Sequence, residues 1–282
     1  MLAVQPGDHI GAAFASPADF VRHTIAFAEQ AIAASAQIMI FPRPEQRDDL
    51  ATFHGYLAGR SRVIGSAPTG QVRVLDSRQV QLAPGRLDPG HLNAAYAAAT
   101  SQAVAAGFSG LWASVDMSWA AGAAPDELVG FESEAFRLFT SRELTAICHY
   151  DTRVFPPGQV TAACRAHPAG LASRAPLRHQ RLHDGRTLRL TGETDLANAT
   201  AFAALIRGLR PGDTLDIAHM TFLDVRALTM IARGRAEVRD LTLRATRGQR
   251  ELLDLVRSAA TFPADSDGHL GACEGGVGAG WQ

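Results

Sequence analysis

AICHYDTRVFPPGQVTAACRAHP, residues 146–168, is the stretch on which the reading of the fold turns. An apolar run, Ala146-Ile147-Cys148, leads into His149-Tyr150-Asp151, a basic residue, Val154-Phe155 and a double proline. Pro156-Pro157 ends a strand and starts a helix, because proline lacks the N–H a ladder needs and presets φ for a first helical turn. The stretch predicts the last buried strand of one domain, a turn, and a closing helix that stops at His167-Pro168.

Upstream, the same grammar repeats. Ser16-Pro17-Ala18-Asp19 combines an N-cap, a proline at the first helical position and an acid in the first turn. Val21, Ile25, Ala28 and Ile32 follow at helical spacing. Residues 37–41 (QIMIF) predict a short buried strand, 45–59 a helix and 71–76 (QVRVLD) a strand. Asp88-Pro89 opens an alanine-rich helix, 110–119 predict another apolar strand, and Pro125-Asp126-Glu127 starts a helix carrying Leu128, Phe131, Ala135 and Leu138. Strands alternating with helices imply a mainly parallel sheet covered on both faces, with ligands at the carboxyl ends of its strands.

Downstream, the texture changes after the joint SRAP at 173–176, expected to be exposed. His183-Asp184-Gly185-Arg186 suits a tight hairpin turn. The order that follows predicts β-β-α-β-α-β-α, with strands at 214–218 and 241–245, and with Thr221 in a buried turn before the second helix. Residues 261–282, rich in Gly, Ala, Asp and Ser, predict a disordered tail.

Two resemblances attach to these residues. Cys148-x-Tyr150-Asp151, Arg153, Phe155-Pro156, a helix and His167-Pro168, preceded by Gly7-Asp8-His9-Ile10, Asp116-Met117-Ser118-Trp119 and Phe131-Glu132, resemble the ordered motifs of the MEDS sensory domain of methanogen and methylotroph regulators. The likeness covers residues 1–172 and implies a degenerate RecA-like α/β fold and a sensing role. Phe131 stands where that pattern has tyrosine, so no hydroxyl is available there. Residues 177–258, with Leu190-Thr191-Gly192-Glu193-Thr194-Asp195, Leu215-Asp216-Ile217-Ala218 and Phe222-Leu223-Asp224 opening a helix, resemble a STAS domain, the smaller α/β fold of anti-sigma factor antagonists. Soluble proteins of that kind are phosphorylated on a hydroxyl residue just after the aspartate. Here Val225 and Arg226 occupy those positions, and neither accepts a phosphoryl group.

The composition removes several functions. The chain has 282 residues, a formal net charge of −1 and no lysine. A P-loop lysine, a Schiff-base lysine and a lysine general base are therefore excluded, and no GxxxxGK[ST] or G-x-S-x-G motif occurs. The charge balance draws the protein neither to nucleic acid nor to an anionic membrane. The arginines at 233, 235, 239, 244 and 247 read as a solvated face diluted by Glu237, Asp240 and Glu251. Three cysteines, Cys148, Cys164 and Cys273, make no disulfide framework and suit a reducing cytoplasm.

Three readings of the chemistry remain. His9, Trp119 and Asp151 form a candidate ligand pocket at the strand ends: a titratable donor, an aromatic wall and a fixed acceptor. Cys148, His149, Asp151 and His167, with Cys164 nearby, form a candidate metal set for zinc or iron. The structural reading makes Cys148 and Cys164 small core residues, lets His167 cap a helix end and leaves Asp8-His9 bonding its own turn. The expectation is a cytoplasmic, non-enzymatic signalling adaptor without a cofactor. Its first domain senses a small-molecule ligand or a partner. Its second docks on an anti-sigma factor or a related regulatory kinase through Asp224, Val225 and Arg226. No direct nucleic-acid or membrane contact is expected. The competing expectation is a metal-dependent sensor or enzyme.

Overall fold

The computed structural model describes residues 3–43, 50–81 and 87–261. The expected helix start at 45–49, and the tail with Cys273 and Trp281 beyond residue 261, lie outside the described residues.

The larger unit runs β1 (His9–Phe14), α1 (Pro17–Ala33), β2 (Gln37–Phe41), α2 (Leu50–Arg60), α3 (Arg62–Gly65), β3 (Val72–Val74), α4 (Ser77–Val80) and α5 (Pro89–Ala105). It continues with β4 (Leu111–Asp116), a 3₁₀ turn (Met117–Ala120), α6 (Pro125–Glu134), α7 (Phe136–Phe139), β5 (Leu144–Asp151), α8 (Pro157–Arg165) and the short β6 (Ala169–Gly170). Its six strands lie in the order β3-β2-β4-β5-β1-β6, and every pairing is parallel. The α/β class expected from the sequence is the observed one. All eight residues of β5 are buried, as expected for an interior strand of a parallel sheet covered on both faces. The predicted strand at 110–119 is shorter, because Asp116 turns the chain by accepting the Ser118 N–H at 2.9 Å, which carries Trp119 out of the sheet.

The helix starts follow from local chemistry. Ser16 Oγ accepts from Asp19 N at 3.2 Å ahead of Pro17, and Asp88 Oδ1 accepts from His91 N at 3.0 Å ahead of Pro89. Such caps are worth about 1 kcal/mol each. Alternation along β1 and β5 divides the core. Ile10, Ala12, Phe14 and Ile147 pack with α1 on one face, while Ala146, Cys148 and Tyr150 pack with α6, α7 and α8 on the other.

The smaller unit runs β7 (Arg178–Arg181), β8 (Thr187–Thr194), α9 (Ala199–Arg207), β9 (Thr214–Leu223), α10 (Val225–Glu237), β10 (Thr242–Arg244) and α11 (Arg247–Thr261), in sheet order β10-β9-β8-β7. Only the β7–β8 hairpin is antiparallel. β9 extends past the expected end at 218 to Leu223, held by its pairing with β8 across two register shifts. Thr221 is thus an exposed strand residue rather than part of a buried turn.

The joint at 173–176, expected to be exposed, is only partly so. Arg174 is exposed, but Pro176 and Leu177 are buried, and Ala175 O accepts the Glu193 N–H at 3.0 Å. Several further bonds tie the units together. Arg178 on β7 donates through Nε to Asp8 Oδ1 at 2.7 Å and through Nη2 to Asp8 Oδ2 at 3.0 Å. Asn198 Nδ2 donates to Pro168 O at 3.4 Å. Because Asp8 is buried, Asp8→Ala strands a half-buried guanidinium. The expected cost is about 2–3 kcal/mol, the low end for a broken buried pair since Arg178 retains some solvent. The midpoint of urea denaturation measures it; a shift equal to that of an exposed control such as Asp126→Ala would show that the pair contributes nothing.

Candidate functional site

Four chain segments far apart in sequence bring polar side chains into the otherwise apolar layer between the sheet and α6. His9 enters from the first residue of β1 and Cys148 from the same face of β5. Glu132 comes from α6, and His167 from just beyond α8. All four are buried, and their ligating atoms lie within 4.8 Å of one another. Glu132 Oε2 sits 3.3 Å from His9 Nε2 and 3.3 Å from His167 Nε2. Cys148 Sγ lies 3.6 Å from His9 Nε2 and 4.0 Å from Glu132 Oε2.

The surroundings fix each group. Tyr150 donates its hydroxyl to Glu132 Oε1 at 2.6 Å, leaving Oε2 to face the histidines. His167 Nδ1 donates to Ala163 O at 2.8 Å, so it does serve the end of α8 as the structural reading expects. Its Nε2 is buried and has no hydrogen-bond partner. Gly11 makes room for this ring, since a Cβ there would come within 3.0 Å of His167 Cγ. His9 stacks on Phe139 with ring centroids 4.3 Å apart.

Burial sets the electrostatics. It pushes His9 down to about 4, with His167 adding to the effect and Glu132 opposing it. Burial also works against ionisation of Glu132, but His167 and His9 outweigh it and hold the carboxyl below its ordinary range. Burial, reinforced by Glu132, raises the thiol of Cys148 and the hydroxyl of Tyr150. A lone buried carboxylate in an apolar layer is costly unless other groups compensate its charge.

Beside this cluster lies a cavity of about 30 Å³, walled by Trp119, Met117, Phe131, Tyr96, His9 and Glu132 among others. That volume suits one or two water-sized groups. A metabolite of ordinary size needs roughly ten times as much.

The sequence-predicted sets are therefore split. His9 and Trp119 line the same cavity, but Asp151 does not join them. It lies at the far end of β5, where Arg43 Nη1 donates to Oδ2 at 2.9 Å and Arg153 donates through Nε and Nη2 at 2.8 and 2.6 Å. Burial works against its charge, and these arginines overcome that and keep the carboxyl below its ordinary range. The predicted metal set fails for the same reason. Cys148 and His167 meet, but His149 and Asp151 point to the opposite face, because adjacent strand residues alternate. His149 Nε2 instead faces Ser114 Oγ at 3.1 Å under α1. Cys164 is half-buried, its thiol raised to about 11 by burial and by Glu132, and it stands outside the cluster.

Glu132 escaped the site assignment although its signal was present. Leu128, Phe131, Glu132 and Ala135 form one i, i+3, i+4, i+7 stripe. An acid inside an apolar helical stripe is itself evidence of a buried polar partner.

A family model described as MEDS, the MEthanogen/methylotroph, DcmR Sensory domain, matches residues 8–168, more than half of the chain. All four clustered residues fall within the match. No curated protein matches the chain.

Proposed function

Since the chain belongs to the MEDS family of sensory domains, we propose that it is a cytoplasmic, non-enzymatic signalling adaptor whose second unit passes the sensory state to a regulatory protein. In this reading residues 1–172 are the input domain. Residues 177–258 act as a STAS-like output domain that docks on an anti-sigma factor or its kinase.

The observation that carries the reading is the start of α10. Asp224 caps that helix, accepting the Ala227 N–H at 2.8 Å. The large apolar side chains around it are turned outward, with Phe222 51% and Val225 69% exposed. Arg226 is exposed beside them. Apolar side chains ringed by charge at a capped helix start are the usual make-up of a protein-docking patch. The β-β-α-β-α-β-α order of the unit agrees with the STAS-like reading.

Regulation then comes from the sensory unit rather than from phosphate at this helix. The nearest hydroxyls already have partners: Thr221 Oγ1 donates to Gly192 O at 3.1 Å and Thr229 Oγ1 to Val225 O at 2.8 Å. A pull-down of the full chain from its native host, read by mass spectrometry, identifies the partner. Val225→Asp should then weaken that complex at least tenfold in calorimetric titration, because a carboxylate must be desolvated in a packed patch. Unchanged affinity would remove α10 from the interface. Stoichiometric phosphate on Thr221 or Thr229 that abolishes binding would replace constitutive docking with a phospho-switch.

A further inference from the structure

We infer that His9, Glu132, Cys148 and His167 bind one divalent transition-metal ion, zinc by the chemistry of the set, in the buried layer between the large sheet and α6. The inference goes beyond the adaptor reading and stands on geometry alone.

Bond lengths of about 2.0–2.1 Å to nitrogen and oxygen and 2.3 Å to sulfur give tetrahedral edges of roughly 3.3–3.8 Å around zinc. Of the six donor separations, four are 3.3, 3.3, 3.6 and 4.0 Å, at or near these edges, and the other two lie within 4.8 Å, so a bound ion would draw the set together. The charges also close. A dication, a carboxylate, a thiolate and two neutral imidazoles sum to zero, which is the condition for burying such a centre cheaply.

The orientation of His167 is the second, independent observation. Its Nδ1 must be the protonated nitrogen, because Ala163 O can only accept. Its Nε2 is turned to Glu132 Oε2 at 3.3 Å, is buried, and has no hydrogen-bond partner. A cation between them would take one coordinate bond from each. Two of the four ligands already have outer-shell partners: Ala163 O orients His167, and Tyr150 holds Glu132 for one-oxygen coordination through Oε2. On binding, the Cys148 thiol gives its proton to solvent and its sulfur lone pair to the metal. His9 coordinates through Nε2 and keeps its proton on Nδ1. His167 also borders a groove of about 510 Å³ shared with Pro168, Ala175 and Asn198.

The test uses the full chain, stripped with a chelator and titrated with Co²⁺. Saturation at one equivalent is expected, with tetrahedral d–d absorption and a near-ultraviolet thiolate-to-cobalt charge-transfer band, and Zn²⁺ should displace the cobalt one for one. Cys148→Ser should abolish the charge-transfer band. Tyr150→Phe keeps all four ligands and should weaken Zn²⁺ binding about 10–100-fold. Folded protein, judged by circular dichroism, that shows no tetrahedral cobalt spectrum at one equivalent would overturn the site. So would a charge-transfer band that survives Cys148→Ser, since the thiolate would then belong to Cys164 or Cys273. If Cys148→Ser does not fold, Tyr150→Phe decides, and unchanged zinc affinity in it overturns the assignment.

Discussion

Between pH 6.5 and about 3 the protein should lose on the order of 4–5 kcal/mol of stability through His149 alone, roughly 1.4 kcal/mol per pH unit. Burial pushes His149 down to about 3, with His23 on α1 adding to the effect. The ring is enclosed by Phe14 of β1, Phe20 and His23 of α1 and Ser114 of β4, and no carboxylate is among these neighbours. The unfolded histidine, near 6.5, takes up a proton that the folded one refuses. Stability is therefore fully present above pH 6.5 and falls as pH drops toward the folded value. Burial lowers His179 as well, which steepens the acid limb in the same direction. Total stabilities of 5–15 kcal/mol make this a large share. Urea midpoints measured from pH 7 to 4.5 with a chelator present should show the slope, and His149→Gln should flatten it by about 1.4 kcal/mol per unit. Parallel limbs for wild type and variant would mean that His149 titrates normally.

Gly192→Ala should be nearly as damaging, at about 4 kcal/mol. Gly192 sits in β8 with φ +87°, a region that costs residues with a Cβ about 1–2 kcal/mol. An added Cβ would also overlap the Pro176 carbonyl oxygen and lie 2.8 Å from its carbon. Both obstacles are backbone, so relief requires lifting the 173–176 joint off β8 and breaking the Glu193 N–H bond to Ala175 O. Gly185 provides the control: φ is +66° and a Cβ there meets nothing within 4 Å. Gly185→Ala should therefore cost only the conformational part. Equal losses for the two variants in denaturant melts would show that the close approach to Pro176 carries no energy.

The proline-led helix starts were legible because Ser16-Pro17 and Asp88-Pro89 fix φ and supply a cap within four residues. The interior strands were legible because QIMIF and the run into Cys148 are apolar without a break. The end of β9 was not. His219, Thr221 and Phe222 face solvent, and that strand is held by its neighbour across a shifted register rather than by its own pattern. The site was half visible. Cys148 and His167, grouped by the sequence, do lie close together, while period-two alternation sends His149 to the other face of the sheet. Asp151 was legible only in part: Arg153 is a partner two residues on, but Arg43 lies 108 residues away. Asp8 likewise bonds its own turn, accepting from Gln5 N at 2.9 Å, while its guanidinium partner stands 170 residues on.

The bonds between Asp8 and Arg178 and between Pro168 and Asn198 have one more consequence. Each begins at the residue next to a clustered histidine, His9 or His167, and each ends in the smaller unit. Any coupling between the two units along them would have no preferred direction. If filling the buried cluster changes the affinity of the α10 face for its partner by some factor, docking must change the affinity of the cluster by that same factor. The regulator bound at Val225 would then be an effector as much as a recipient. The sensitivity of the sensor would be set in part by how much of its own target is present.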